Sequence, residues 1–557
     1  MLGIMLAMVR TGYVAADTKD KESSMRKTLR VITVASAAAL SLVLAACGGG
    51  SGSGSGTDGA ADIVIRGCTP ENPLIPGNTS ETCGGDMVTA MTSGLVRYDT
   101  ETADPIMDIA ESIESDDNIN FTVKLKHGYK FHDGTEVKAH NFVDAWNYTA
   151  AYANGQAGSY FMNPFEGFAE VSAKDSTLTE MSGLVVVDDY TFTMKTVEPM
   201  ANLPVRLGYS SFAPLPDSFF DDPAAFADAP IGAGPFALAS KSTTEYKFVK
   251  FADYSGDFPA QVDSLTFRIY TDDSAAYNDV VANNLDYTNN IPSDFLVNEQ
   301  FTNDLPDRNL IREAGRFSGI VFSPNDPQLA NNLDLRRSIS MAIDRELIID
   351  QIFNGVYKPA NGWAPSVVSG ATDTACGDNC KFDPQAAKAL YEQAGGYQGT
   401  LTLTVNGDGA HKAWADATCN SIKNSLGLEC VTQLTPDFAT FNNMIDAHEI
   451  MGLFRTGWQM DYPSIENFLG PIYGTGADSN WSRYSNPEFD DLLRQAGAAS
   501  DNDAANALYQ QAEALLGRDM PTAPMWYPST VVGWSDRVEN VHINAFGVLD
   551  FSAISVK

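Results

Sequence analysis

One short segment in the last quarter of the chain collects residue types that bind charged ligands. Residues 457–463 read Gly-Trp-Gln-Met-Asp-Tyr-Pro, and Arg455 lies two residues before them. No helix is expected to pass Tyr462, because a residue before proline is pushed out of the α region. The carboxylate of Asp461, a guanidinium and the ring of Trp458 suit a ligand with a cation, an anion and apolar bulk, such as a zwitterionic peptide. A strand with an inward-packed tryptophan and an aspartate capping the next helix fits the same residue types equally well.

Signatures of secreted hydrolases are weak by comparison. His448-Glu449 precedes Ile-Met-Gly and so lacks the second histidine of a zinc-protease helix. The sequence has no Gly-x-Ser-x-Gly elbow, and residues 232–236 (Gly-Ala-Gly-Pro-Phe) match neither a dinucleotide loop nor a phosphate loop. His132-Asp133 is followed by Gly134, which favours a turn in which the aspartate bonds nearby backbone over a catalytic pair. We expect no enzyme activity, no metal and no cofactor.

The seven cysteines predict disulfides in an oxidising compartment. Setting Cys47 apart leaves an even number, which allows several pairings. Proximity along the chain favours Cys68–Cys83, Cys376–Cys380 and Cys419–Cys430. Cys376 and Cys380 could instead bind a metal as thiolates, although no second Cys or His pair follows to complete a zinc site.

The residues before Cys47 predict export. Lys27 and Arg30 precede an apolar or small run over 31–46, which is the pattern of a secretory signal. The run is shorter than the roughly 20 residues that span a bilayer. We therefore expect a signal peptide over 1–46, with Met25 as the true start.

Cys47 itself is expected to carry lipid. Leu44-Ala-Ala-Cys resembles the bacterial lipobox, in which the cysteine is acylated and becomes the new N-terminus. The Gly/Ser repeats that follow make 47–60 a flexible tether. The protein is then held on the extracytoplasmic face of the cell membrane by lipid alone. A buried cysteine at a helix end is the alternative.

Charge and length narrow the class of protein. The chain has 71 Asp and Glu against 36 Lys and Arg, a formal net charge of −35, which disfavours nucleic acid and anionic headgroups as partners. The acidity does not identify a ligand. About 500 residues after Cys47 are too many for one core, so two or three domains are expected.

Strands and helices are mixed along the whole length. Apolar alternation and turn residues predict strands over 63–67, 121–125, 184–187, 191–195, 246–251, 264–270 and 401–405. Helical spacing predicts helices over 86–95, 141–152, 275–283, 334–354 and 411–426, and two helical pieces over 486–517 with a break near Ser500-Asp501. Asp334 is expected to cap the 334–354 helix, Asp344 to re-cap it after a bend, and residues 213–230 to form a connection without helix or strand.

Five motifs occur in the order typical of one family. The chain resembles the family 5 extracytoplasmic solute-binding proteins of bacterial ABC importers, the oligopeptide- and dipeptide-binding group, from Ile63 to Ile554. The motifs are Met91 to Tyr98, Phe121 to Gly134 ending Lys-Phe-His-Asp-Gly, residues 232–236, Leu335 to Asn354 with Ala-Ile-Asp-Arg, and Trp458 to Leu469. Pro463 lies two or three residues earlier than the proline in many family members, which leaves Asp461 in place but shifts the side chains after Tyr462.

The resemblance implies an α/β fold with two lobes and a hinged ligand cleft. This is the type II periplasmic-binding-protein-like fold in its three-domain oligopeptide-binding variant. Domain I is then discontinuous, and closure of the lobes encloses the ligand. The implied ranges are 61–99, 215–315 and 530–557 for domain I, 100–214 for domain II, and 316–529 for domain III.

The resemblance also implies roles for individual residues. Asp461 matches the acid that pairs with a peptide α-ammonium, and Arg455 matches a base that oligopeptide binders direct toward the C-terminal carboxylate. The other implied ligand-binding residues are Trp458, Tyr462, Phe438, Trp526, Tyr527, Glu71 and Asn72. The loop around Glu71 lies where the family places peptide backbone against an exposed edge.

The implied function is peptide capture by a monomeric lipoprotein that delivers its ligand to ABC transporter permease subunits. The same fold with another solute is the nearest alternative, namely a dipeptide, an oligosaccharide, nickel or haem. A surface receptor that senses peptide without importing it is a second alternative.

Overall fold

The computed structural model describes residues 61–79, 81–372, 374–477 and 479–557. The predicted signal peptide, Cys47 and the tether lie outside these residues. The strands are β1 Asp62–Gly67, β2 Val96–Tyr98, β3 Pro105–Met107, β4 Ala110–Glu114, β5 Asn120–Leu125, β6 Leu184–Asp188, β7 Thr191–Lys195, β8 Phe236–Lys241, β9 Glu245–Lys250, β10 Ser264–Ile269, β11 Tyr287–Thr288, β12 Asn309–Glu313, β13 Arg316–Phe322, β14 Lys358–Pro359, β15 Leu401–Asn406, β16 Cys430–Thr435, β17 Leu453–Gln459, β18 Thr522–Tyr527, β19 Ser529–Trp534, β20 Val538–Glu539 and β21 Ser555–Val556.

Helices connect and cover these strands. They are α1 Thr82–Met91, α2 Ala139–Ala150, α3 Phe168–Val171, α4 Leu203–Arg206, α5 Asp217–Asp221, α6 Pro223–Asp228, α7 Asp273–Val281, α8 Ser293–Leu296, α9 Gln300–Asp304, α10 Pro327–Ala330, α11 Leu333–Met341, α12 Arg345–Ile352, α13 Pro384–Gln393, α14 Lys412–Leu426, α15 Phe438–Asp446, α16 Glu466–Tyr473, α17 Pro487–Gly497 and α18 Asn502–Asp519. None of those in the described ranges has both the length and the apolar character needed to cross a bilayer.

Three sheets organise the fold. A seven-stranded sheet has the order β12-β19-β11-β1-β10-β9-β8, a six-stranded sheet the order β14-β18-β13-β17-β15-β16, and a four-stranded sheet the order β4-β5-β7-β6. The seven-stranded sheet joins strands from distant parts of the chain, since β1 pairs in parallel with β10 and with β11. The domain ranges given above stay a prediction.

Most predicted elements lie within a few residues of the observed ones, and apolar alternation explains them. In β5, Phe121, Val123 and Leu125 are buried while the residues between them face outward. The first predicted helix is an exception, because α1 starts four residues earlier than expected. The side chain of Glu81 accepts a hydrogen bond from the Gly84 backbone N–H and so caps α1 there.

The long helix predicted over 334–354 is two helices. Asn332, rather than Asp334, caps α11 by accepting a hydrogen bond from the Leu335 N–H at 3.1 Å. The expected re-capping by Asp344 is confirmed, because its carboxylate accepts from the Leu347 N–H at 3.0 Å and starts α12. Each cap satisfies a backbone donor that the first turn of a helix leaves unpaired.

The prediction that residues 213–230 form no element was wrong. This stretch contains the short helices α5 and α6. Asp222 caps α6 through a hydrogen bond from the Ala225 N–H, and Pro223 occupies the first helical position. Proline is compatible with that position because its missing N–H has no helical partner there.

The His132-Asp133 motif is structural. The Nδ1 of His132 accepts a hydrogen bond from the Gly232 N–H at 3.1 Å, and Nε2 lies 3.1 Å from the Gly234 carbonyl. Burial lowers the pKa of His132 to about 4. Asp133 accepts from the Thr135 N–H at 2.9 Å, which is the predicted turn.

The six described cysteines are paired as proximity suggested. The Cα–Cα distances are 5.2 Å for Cys68–Cys83, 5.7 Å for Cys376–Cys380 and 4.9 Å for Cys419–Cys430. The first of these ties the loop after β1 to α1, and the last ties α14 to β16.

Candidate functional site

The predicted ligand residues extend along β17 and the loop that follows it. This strand lies inside the six-stranded sheet, antiparallel to β13 from Arg316↔Gln459 to Phe322↔Leu453 and parallel to β15. Arg455 is within β17, and Asp461 is two residues past its end. Six residues at about 3.3 Å per residue separate their backbones by at most about 20 Å.

Asp461 is held by hydrogen bonds that orient its carboxylate. The Asn467 side chain, in the first turn of α16, donates to Asp461 Oδ2 at 3.3 Å and accepts from the Asp461 N–H at 2.9 Å. The hydroxyl of Tyr160 donates to Oδ1 at 3.3 Å. Burial raises the pKa of Asp461 above its usual value. Within the described ranges, no Lys, Arg or His forms an ion pair with this carboxylate.

A second layer of side chains lies behind Asp461. The guanidinium of Arg206 lies 4.7 Å above the ring of Tyr462, whose hydroxyl donates to Glu466. The charge of Arg206 lowers the pKa of Asp461 and so partly offsets the effect of burial. Tyr462 is only 2 % exposed, and its predicted contact with a ligand stays a prediction.

Arg455 lies beside the end of β15. Its Nη1 donates to the Asn406 side-chain oxygen at 2.8 Å, and the Asn406 amide donates in turn to Asp408 at 2.6 Å. The guanidinium lies 5.3 Å from the ring centroid of Phe438, which is 41 % exposed. In the part of the chain that the structure describes, no carboxylate forms an ion pair with Arg455. Neither Arg455 nor Asp461 thus has an ionic partner among the residues that the structure describes.

The electrostatics around Arg455 favour an anion. Burial lowers the pKa of Arg455, and the nearby charge of Asp408 raises it in part. His411 is neutral at neutral pH, because burial and the charge of Arg455 lower its pKa to about 4. A carboxylate could pair with the guanidinium, with Arg455 as its cationic partner, because the neutral His411 adds no charge and Asp408 is negative.

The predicted aromatic residues divide into two groups. Trp458 is half-buried and donates its Nε1–H to Asn467 at 3.0 Å, so it shares an anchor with Asp461. Trp526 is 2 % exposed and packs edge-on against Phe353 and Trp414. Tyr527 is fully buried, with its hydroxyl bonded to the Gly362 backbone.

Trp526 and Tyr527 are thus buried in the structure, and their contact with a ligand stays a prediction. Both lie on β18, which is flanked by β13 and β14 and buried along its whole length. A strand covered on both faces offers its aromatic rings to the core.

The loop after β1 is exposed at Glu71 and half-buried at Asn72. The Glu71 N–H donates to the carboxylate of Glu81 at 3.2 Å, the same carboxylate that caps α1. Glu81 lines a neighbouring cavity, whereas Glu71 and Asn72 do not. The structure thus brings Asp461 together with Trp458, and Arg455 with Phe438, while Glu71 and Asn72 belong to a separate loop.

That cavity, of about 650 Å³, was missed by the sequence analysis. It is lined by residues of α1, β13, β19 and the segments around 209, 290 and 355, with Gln459 of β17 at its edge. Tyr98 and Tyr209 also line it. Burial is the main cause that raises the pKa of both hydroxyls, and the charge of the nearby Asp461 adds to it. Charged lining residues such as Arg66 and Arg316 are some 250 positions apart in sequence, and no local pattern connects them.

Comparison with known proteins decides the family. A family model described as bacterial extracellular solute-binding proteins, family 5 middle, matches residues 104–480. The chain belongs to this family. The predicted α/β, periplasmic-binding-protein-like fold is thereby confirmed.

Individual family 5 proteins resemble the chain over most of its length. The periplasmic oligopeptide-binding protein OppA of Salmonella typhimurium is 25 % identical over 455 residues, covering 78 % of this chain and 81 % of OppA. Heme-binding protein A of Haemophilus influenzae is 23 % identical over 489 residues, covering 83 % and 86 %. The unliganded open form of the murein tripeptide-binding protein MppA superposes with a TM-score of 0.79 at 22 % identity, covering 89 % of this chain and 98 % of MppA.

Proposed function

We propose that this family 5 protein captures oligopeptides outside the cytoplasmic membrane and delivers them to an ABC transporter permease, without catalysis of its own. One observation carries the proposal. A carboxylate and a guanidinium, neither in an ionic pair with a described residue, are presented along one strand and its continuation at Asp461 and Arg455. The peptide α-ammonium would pair with the first and the C-terminal carboxylate with the second.

The spacing of the two charges suits a short peptide. Their backbones are at most about 20 Å apart, and an extended peptide advances about 3.3 Å per residue. Allowing for the reach of the two side chains, ligands of up to about six residues would bridge them. Similarity to oligopeptide-binding proteins such as the OppA of Salmonella typhimurium supports a peptide ligand for this chain as well.

Charge balance supports the same assignment. Around the proposed ammonium site, Asp461 and Glu466 carry two negative charges and Arg206 one positive charge. A ligand ammonium would bring this group to neutrality. A buried charge left without its partner costs roughly 3–5 kcal/mol, so a cleft that closes over ionised Asp461 favours a ligand with a cationic group there.

The remaining expectations belong to the same proposal. Trp458 and Phe438 would contact the ligand beside the two charges, and the loop at Glu71 and Asn72 would meet it only after closure of the lobes. Lipidation at Cys47 would anchor a monomer to the membrane, and the domain ranges given above would form the lobes.

The test compares free and N-acetylated peptides on the wild-type protein and on Asp461→Asn. Removing the carboxylate should weaken binding of peptides with a free α-amine at least about 100-fold, and of acetylated ones much less. Isothermal titration calorimetry with matched tetrapeptides measures both. Equal losses for the two peptides would refute the role of Asp461, and cleavage of the peptides would refute the absence of catalysis.

A further inference from the structure

Arg316, the first residue of β13, carries a charge that the proposed function does not use. Its guanidinium lines the 650 Å³ cavity, and its Nε is buried without a hydrogen-bond partner. No ion pair to Arg316 is formed by any residue that the structure describes. A buried donor without a partner is costly, whereas a ligand oxygen would satisfy it.

The other two guanidinium groups of this cavity are paired. Arg66 forms an ion pair with Asp273 at 2.5 Å and donates to the Asn289 side chain at 2.8 Å. Arg97 pairs with Asp550 at 3.6 Å and lies 3.6 Å over the ring of Phe258. Arg316 therefore differs from Arg66 and Arg97 in having no counterion among the described residues, although all three line the cavity.

The acid whose charge acts on Arg316, Asp86, does not form an ion pair with it. Asp86 of α1 lines the same cavity and feels the charge of Arg316, but the two form no ion pair. Its carboxylate instead receives a hydrogen bond from the Asn289 amide at 3.4 Å. Burial raises the pKa of Asp86 to about 7, so near neutral pH it neutralises Arg316 only in part.

The register of the sheet places Arg316 near the ammonium end of the proposed ligand. Arg316 is paired with Gln459, which lines the same cavity and lies two residues before Asp461. Arg455 is paired instead with Ile320, four residues further along β13, or about 13 Å away. Arg316 and Arg455 thus lie at separate points along the proposed peptide path.

We propose that Arg316 forms a second anion subsite that binds a ligand carboxylate close to the α-ammonium, and this rests on the proposed peptide-binding function. The carboxylate has two sources. It belongs either to an Asp or Glu side chain in the first two residues of the peptide or to the C-terminus of a dipeptide. A guanidinium with a free Nε–H presents a planar fork that fits a carboxylate.

The experiment measures the affinity of Ala-Glu-Ala-Ala and Ala-Gln-Ala-Ala, and of Ala-Ala and its amide, by calorimetry. If Arg316 binds a side-chain carboxylate, the wild type should bind Ala-Glu-Ala-Ala about tenfold more tightly than Ala-Gln-Ala-Ala. If it binds the C-terminus of a dipeptide, the wild type should bind Ala-Ala about tenfold more tightly than its amide. Arg316→Gln should remove the preference and leave affinity for Ala-Gln-Ala-Ala within about twofold. Arg316→Lys should keep part of it, since the charge remains.

Arg97→Gln is the matched control, because it removes a cavity guanidinium that already has a counterion. This variant should keep the preference of the wild type. If the wild type shows no preference, or if the preference survives in Arg316→Gln, the subsite is overturned. Binding of Ala-Gln-Ala-Ala by the wild type would in that case still support the proposed function. A wild-type protein that binds none of the four peptides overturns both proposals.

Discussion

The two ends of the β17 segment present opposite charges in very different settings. Asp461 is fixed by Asn467 and Tyr160, with Arg206 and Tyr462 packed behind it. The guanidinium of Arg455 donates one hydrogen bond to a described side chain, Asn406, and lies 5.3 Å and 5.7 Å from the ring centroids of Phe438 and Phe441. The acidic end is held by hydrogen bonds to both carboxylate oxygens, whereas the basic end has one such bond and two less directional ring contacts.

This difference suits a receptor that accepts ligands of several lengths. A rigid partner for the ammonium would fix where the peptide begins, because preorganised groups lose little conformational entropy on binding. A long guanidinium side chain with few constraints could meet a carboxylate at more than one distance. The acidic end would then set the register, and the basic end would adjust to the length.

After the loss expected for Asp461→Asn itself, the largest effect is expected from Asn467→Ala, which leaves Asp461 in place but removes its contacts with Asn467. Trp458 Nε1–H and the Asp461 N–H would both lose their acceptor, and each lost partner costs about 1–3 kcal/mol. We expect affinity for peptides with a free α-amine to fall about 100-fold, measured by calorimetry. Asn480→Ala is the control, because Asn480 is also buried but bonds only residues 473–484.

If Asn480→Ala weakens binding as much as Asn467→Ala, general loss of stability explains both. Thermal denaturation of the two variants separates these cases. Affinity that is unchanged in Asn467→Ala would show that the acidic end is not as rigid as its contacts indicate.

A smaller effect is expected at the basic end. Arg455→Gln should weaken peptides with a free C-terminus about tenfold and leave C-terminally amidated peptides unchanged, because only the former pair with the guanidinium. Arg455→Lys should retain part of the affinity. Calorimetry with a series of three to six residues measures the dependence on length. Equal losses for acid and amide peptides would contradict carboxylate binding at Arg455.

Sequence predicted many individual helices, strands and turns because their determinants are local, whereas the two-lobed fold was implied by the family resemblance. Alternating residues in β5, the cap at Asp344 and the turn at Asp133 each act within a few positions. Helices α5 and α6 were missed because they lie in a stretch rich in Pro and Asp, which also favour turns. Asp222, which caps α6, could not be distinguished there from a turn residue. Asn332 was overlooked because Asp334 also suits a cap two residues later.

The candidate site was only partly accessible from the sequence. Asp461, Trp458 and Arg455 lie in one segment, so their clustering is visible in the printed chain. Tertiary packing determines the rest, since β18 lies inside a sheet and its aromatic residues Trp526 and Tyr527 are thereby buried. Arg316 and its cavity arise from strand register and from segments that meet only in the fold.

The smallest effect expected is a pH dependence confined to the acidic end. Asp461 must be ionised to pair with an ammonium, and burial raises its pKa, so it gains a proton at a higher pH than an ordinary aspartate. The ligand α-ammonium, with a usual pKa of about 8, stays charged between pH 5 and 7. Affinity for a free-amine peptide should therefore fall severalfold from pH 7 to pH 5, whereas an acetylated peptide should not respond.

The contributions of His411 and Asp86 to the pH dependence of binding can be distinguished from that of Asp461. His411 has its pKa lowered to about 4 and stays neutral over this range, while Asp86, with a pKa near 7, titrates within it. The profile is therefore measured on Asp86→Asn as well as on the wild type. A pH dependence that disappears in Asp86→Asn belongs to the neighbouring cavity, and one that persists there but is lost in Asp461→Asn belongs to the acidic end. A pH dependence that is lost only in Asp461→Asn would mean that the ligand ammonium competes with a proton for this carboxylate. The two ends of the β17 segment would then differ in their response to pH as well as in their hydrogen bonding, because Arg455 stays charged over this range.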